Sequence, residues 1–143
     1  MNREILFKAK RKDNGEWVEG YYLNVAKINH FICTGKIKLD GVVKGILAPE
    51  MYAITPNTLC QYTGLTDKNG KKIWENDILR DKSGDIFRIY WSERLLNYSA
   101  KCIKSAFSVF IKQKWDLRIL LKSQNDIEVW GNIFDNADLL EVE

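Results

Sequence analysis

The sequence predicts a mainly β protein of short strands and tight hairpins, with minor helix. Gly-containing turn signals recur through the chain, and in its middle part the strands between them follow at spacings of about ten residues. The runs between those signals alternate in polarity over a few residues, as half-buried strands do. The 143 residues are 45% hydrophobic and include five Trp, six Tyr and six Phe, with only two Pro. That balance fits one folded domain over 1–143, divisible into sublobes 1–55 and 56–143, and excludes a collagen, a coiled coil and a long disordered tract. A chain of this length buries roughly two thirds of the surface exposed when unfolded, so it needs no disulfide or metal to fold.

The elements follow in order. ILFKAKRK and WVEGYYLNV flank Asp13-Asn14-Gly15, and Asn-Gly favours positive φ at the centre of a hairpin. Aromatics fall on both faces of the second run, which predicts cover on both sides in part. KINHFIC (27–33) is a further strand, Thr34-Gly35-Lys36 a turn and VVKGIL (42–47) a short apolar run. Pro49 and Pro56 bracket MYAIT, which reads as an extended edge or connector. Thr58–Tyr62 is a strand, Asp67-Lys68-Asn69-Gly70 a second hairpin turn, and Glu75-Asn76-Asp77 a tight corner. After the turn Lys82–Asp85, the strand Ile86–Trp91 places Phe87, Ile89 and Trp91 on its core side and Ile86, Arg88 and Tyr90 on the other. Residues 93–104 read as a loop or short helix, and 106–112 and 117–122 as strands. Ile127–Phe134 is a closing strand. Asp135–Leu140 reads as one helical turn that is capped by Asp135 and folds back over Trp130. Strands so spaced, with such turns, suggest a small barrel or sandwich.

Charge is uneven. The 22 Lys and Arg against 19 acids give a net +3, but residues 101–122 carry six basic side chains and one acid, while 123–143 carry six acids and no base. Such a distribution suits internal pairing, head-to-tail assembly or a phosphate-facing patch. Cys33, Cys60 and Cys102 are odd in number and widely spaced, which fits a reducing cytoplasm. The opening MNREILFKAKRK has no apolar stretch of signal length, and no run is long enough for a bilayer.

Three co-linear segments, REILFKAKRKDNGEWVEGYY, QYTGLTDKNGKKIWENDILR and IEVWGNIFDNADLL, resemble the YopX-like family of phage and prophage proteins. The resemblance implies a mainly β fold whose later portion is similar to an SH3-like barrel, and a setting in the bacterial host's cytoplasm. It brings no agreed activity and no catalytic residues to carry over.

The residues supply little chemistry of their own. His30 is the single histidine, no serine stands in a nucleophile frame, and Asp67–Ile78 fails the calcium-loop pattern at its fifth, sixth and twelfth positions. Glu75, Asp77, Asp81 and Asp85 form the densest acidic group, and their place at corners points to backbone hydrogen bonding. We therefore expect no catalytic, cofactor or metal site. The expected function is non-enzymatic: a phage or prophage accessory protein that binds or self-assembles, as a homo-oligomer or on a host or phage protein. Trp130, Leu139 and Leu140 are the candidate assembly residues. The alternative is a nucleic-acid-binding barrel using Arg88, Tyr90, Lys112, Lys114 and Arg118, where aromatics stack bases beside cations.

Overall fold

The structure, a computed structural model, describes residues 4–43 and 46–141. The chain divides into two compact units, Met1–Tyr62 and Thr63–Glu143.

In the first unit Phe7–Lys10 forms β1, Trp17–Val25 β2, Asn29–Val43 β3 and Ile46–Ala53 β4, and Cys60–Thr66 begins here as β5. All pairings are antiparallel and the order is β4-β3-β2-β1-β5. One face packs the core: Ala9, Val18, Ile32 and Ile54 are buried, with Phe7, Tyr22, Tyr52 and Leu59 against them. Pro49 lies on β4, the edge strand, where a missing N–H costs no interior ladder bond. The turn expected at 34–36 lies instead within β3, at a shift of register between Cys33 and Ile37. The apolar run 42–47 lies partly outside the described residues.

The second unit continues with Lys72–Trp74 as β6, Asp77–Arg80 as β7, Ile86–Ser92 as β8, Asn97–Lys104 as β9 and Lys114–Asp116 as β10. The helix α1, Leu117–Ser123, and the last strand β11, Glu128–Asn132, complete it. Its five-stranded sheet runs β10-β9-β8-β7-β11. Leu79, Phe87, Ile89, Ala100 and Cys102 from the sheet are buried with Leu117 and Leu120 from the helix. No sheet closes into a barrel. The apolar face that closure would have buried is covered by α1, and β10 and β11 remain edges.

Residues 92–124 depart most from expectation. The segment read as loop or short helix holds β9, and the strand expected at 117–122 is α1. Asp116 decides the second case: its Oδ1 accepts the Ile119 N–H at 3.0 Å and caps the first turn, and Leu117, Leu120 and Leu121 then share the face turned to the core. In place of the strand expected at 106–112 is a 3-10 turn, Ser108–Phe110. Trp91, expected inside, is 36% exposed and meets Tyr98 edge-on.

The Asn-Gly turns are of a different type from the one expected. Gly15 and Gly70 take φ of 72° and 77°, while neither Asn14 nor Asn69 is among the residues with positive φ. The Gly70 N–H donates to the Asp67 carbonyl and the Asp67 N–H to that of Lys71, a type I turn closed by a glycine bulge. The same bonds recur from Gly84 to Asp81 and from Asp81 to Asp85, so Asp-Lys-Asn-Gly-Lys and Asp-Lys-Ser-Gly-Asp build one turn twice. A Cβ at Gly70 would meet nothing within 4 Å, so its substitution costs only conformation. Gly70→Val is expected to destabilise by about 1–2 kcal/mol, since a β-branched residue tolerates positive φ poorly. An unchanged urea midpoint would refute the assignment.

Candidate functional site

Each unit presents one surface whose chemistry its own core does not use. In the second unit it is the outer part of the sheet face opposite α1, toward β9 and β10, since Ile78 and Ile86, which share that face with Arg88, are buried. Arg88 on β8 stands opposite Lys101 on β9, and Lys101 opposite Lys114 on β10. Directly paired residues of an antiparallel ladder share a face, so three cations form a row across three strands. Tyr90 follows Arg88 on that face, opposite Ser99. Arg88, Lys101 and Tyr90 are half-buried and Lys114 is exposed. The Arg88 Nε is buried and has no hydrogen-bond partner. Asp116, the acid beside the row, is already engaged: its Oδ2 accepts from Asn97 Nδ2 at 2.7 Å and its Oδ1 caps α1.

Three of the five residues expected to meet nucleic acid thus come together, and two do not. Arg118 is exposed on α1, the helix that covers the opposite, apolar face of the sheet. Lys112 is exposed at a bulge before β10, with φ of 69°, its N–H donating to the Cys102 carbonyl at 2.8 Å. Lys101 was missed because its segment was not read as a strand.

The residues expected to mediate assembly are placed as follows. The pairing of β11 with β7 shifts register between Val129 and Gly131, so Trp130 is the extra residue of a bulge. Its indole is 39% exposed, and the Arg80 guanidinium lies over it at 4.7 Å from the ring centroid. Leu139 and Leu140, from which cover was expected, are half-buried on the 3-10 turn Ala137–Leu140. Asp135 does not cap that turn. Asn136 stands at its cap, and Asn136 Oδ1 accepts the Asn132 N–H at 3.2 Å.

In the first unit the surface is the outward face of the sheet. Tyr21, Leu23 and Val25, alternate residues of β2, are 60%, 42% and 49% exposed. Their cross-strand partners include Cys33 and Phe31 on β3, and Met51 on β4 stands opposite Cys33. Phe31, Cys33 and Met51 are half-buried. Nearer β1 the same face carries Trp17, with Lys8 and Lys10 above its ring. The cover expected on both sides of β2 exists only on the Tyr22 side. The signal was visible as apolar residues at 21, 23 and 25, a run that alternation alone could not assign to core or surface.

The titratable groups serve structure. The His30 Nδ1 shares a 2.6 Å hydrogen bond with the Tyr22 hydroxyl. Asp77 Oδ2 accepts the Trp74 N–H at 2.8 Å across the corner. Burial pushes the Asp81 carboxyl up, although it accepts the Asp85 N–H. Burial likewise pushes the Cys102 thiol up. Arg80 and then Lys68 hold the Glu128 carboxyl below the usual carboxylate range. These residues border a cleft of about 540 Å³ in which Lys68, Arg80 and Lys82 are matched by Asp81, Asp126 and Glu128, so it favours neither sign of ligand. Among the described residues no group of three or more His, Cys, Asp or Glu could hold a metal ion.

Two open antiparallel sheets, one of them backed by a helix, define a mainly β protein, and among the described residues no helix is long and apolar enough to cross a membrane. The fold is similar to that in the crystal structure of protein EF1440 from Enterococcus faecalis, at a TM-score of 0.60 and 22% identity over 98% of this chain and 100% of that one. The chain belongs to the YopX family, whose model, YopX protein, matches residues 6–141. No curated protein matches it.

Proposed function

We propose that the protein is a non-enzymatic phage or prophage accessory protein, acting in the cytoplasm of the bacterial host, that self-associates through the outward face of the first unit's sheet. The observation that carries this reading is the exposed line Tyr21, Leu23 and Val25. At ordinary side-chain sizes these residues, with Phe31, Cys33 and Met51, expose roughly 400 Å² of apolar surface, within the range where a patch is often functional. Interfaces are only a little over half apolar, so such a centre corresponds to roughly 700 Å² per partner and roughly 1,400 Å² in all, the size of an ordinary stable complex. A second copy supplies a face of the same polarity, and sheets stack readily face to face.

Sedimentation should give twice the 16.7 kDa chain mass at micromolar concentration. Leu23→Lys, which buries a charge only in the assembly, should weaken association at least about 10-fold while leaving the fold intact. Cys60 and Cys102 are buried, so Cys33 is the thiol open to alkylation, and its labelling should slow as protein concentration rises. A monomer at every concentration, with Cys33 labelling unchanged, would overturn the reading. So would an assembly that survives Leu23→Lys but dissolves in Trp130→Ala, which would move the interface to the closing segment.

A further inference from the structure

We infer that the sheet face of the second unit bearing Arg88, Lys101 and Lys114 binds the phosphate backbone of single-stranded nucleic acid, with Tyr90 as a stacking platform. The inference does not depend on self-association and concerns the other unit. Like charges placed directly opposite one another across a ladder destabilise a sheet, so two such pairings in succession disfavour the free fold. Among the described residues none of the three cations has an ion pair. Their usual relief is absent, since Asp116 is committed to Asn97 and to the helix cap and Glu128 to Arg80 and Lys68. Arg88 retains a donor, Nε, that no protein group satisfies. An anion is the partner that turns this repulsion into attraction, and guanidinium donors suit phosphate oxygens well.

The geometry favours a strand over a compact anion. Neighbouring strands lie about 4.8 Å apart, so the row from Arg88 to Lys114 spans about 10 Å, more than one phosphate group occupies. An aromatic ring next to the row on the same face is the arrangement by which β surfaces hold unpaired bases, because every base has a π-face. No acidic side chain interrupts the row.

Fluorescence anisotropy with a labelled oligothymidine should show binding at low salt. With three phosphates neutralised, log affinity should fall against log salt with a slope of about −2. Lys101→Gln with Lys114→Gln should lower affinity at least about 10-fold at low salt and reduce the slope by about 1.4, leaving the circular dichroism spectrum unchanged. Tyr90→Leu should weaken binding with little change in slope, since it removes stacking and no charge. Arg118→Gln, on the other side of the sheet, should change nothing. Absence of binding at low salt would overturn the inference. So would an Arg118→Gln loss equal to that of the double variant, or a duplex of the same length bound as tightly as the single strand.

Discussion

Gly20→Ala will destabilise the first unit by about 3 kcal/mol, the upper end of the usual penalty for forcing atoms into packed space. Gly20 pairs with Phe7 on β1, and on the other side β3 passes close over it. A Cβ there would overlap the Cys33 carbonyl oxygen and stand 2.8 Å from its carbon and 3.0 Å from the Thr34 Cα. All three are backbone atoms, so no rotamer change relieves the contact. Either β3 moves, breaking register at Tyr21–Cys33, or β2 leaves β1. Trp17 is the one tryptophan of the first unit, so a variant keeping it as sole indole gives a clean urea titration. An unshifted midpoint would show that the two strands do not approach so closely.

Asp67→Ala should cost the second unit about 3 kcal/mol, because a carboxylate bond to a backbone N–H contributes more than a neutral one and a stranded donor adds its own penalty. The side chain is buried, and its two oxygens serve three donors. Oδ1 takes the N–H groups of Asn69 and Lys71, both at 2.9 Å, and Oδ2 takes that of Val129 at 2.9 Å. The neighbouring Lys68 N–H donates to the Ile127 carbonyl, so the turn holds the start of the last strand by two bonds. Alanine leaves the Val129 N–H without its acceptor, and the thermal midpoint should fall by about 10 °C. Hydrogen exchange at Val129 should accelerate beyond that at Leu79, which stays in the ladder. If Asp67→Ala melts at the parental temperature, the carboxylate is a spectator and water replaces it.

What could be read from the sequence tracks how local each determinant is. The hairpins at Gly15, Gly70 and Gly84 and the corner at Asn76–Asp77 depend on a few adjacent residues, and all were placed. The β9 to α1 region depends on what it packs against. Ala100, Cys102, Leu117 and Leu120 satisfy helical and strand periodicity almost equally, and only the sheet edge and the Asp116 cap separate the two. Closure into a barrel was likewise beyond local signals, since it turns on whether a helix or another strand covers Phe87 and Ile89. For the basic row, Arg88, Tyr90 and Lys114 were legible as residues, but their alignment through Lys101 is a matter of register, which no single strand encodes. Trp130 shows the converse: strict alternation put it on a polar face, and one inserted residue sent it under Arg80.

The pairing of β7 with β11 bears on how the protein is made. Ribosomes add about 5–20 residues each second, so β7 emerges several seconds before the strand that will flank it. For that interval its main-chain donors and acceptors, beside Ile78 and Leu79, form an open edge that any extended segment nearby can join. The Asp67 turn is complete by then, with one carboxylate oxygen still unspent, and it offers the arriving β11 a fixed landing point in the correct register. The same carboxylate that tightens a local hairpin thereby fixes where β11 joins once it emerges, so that the edge of β7 closes in register.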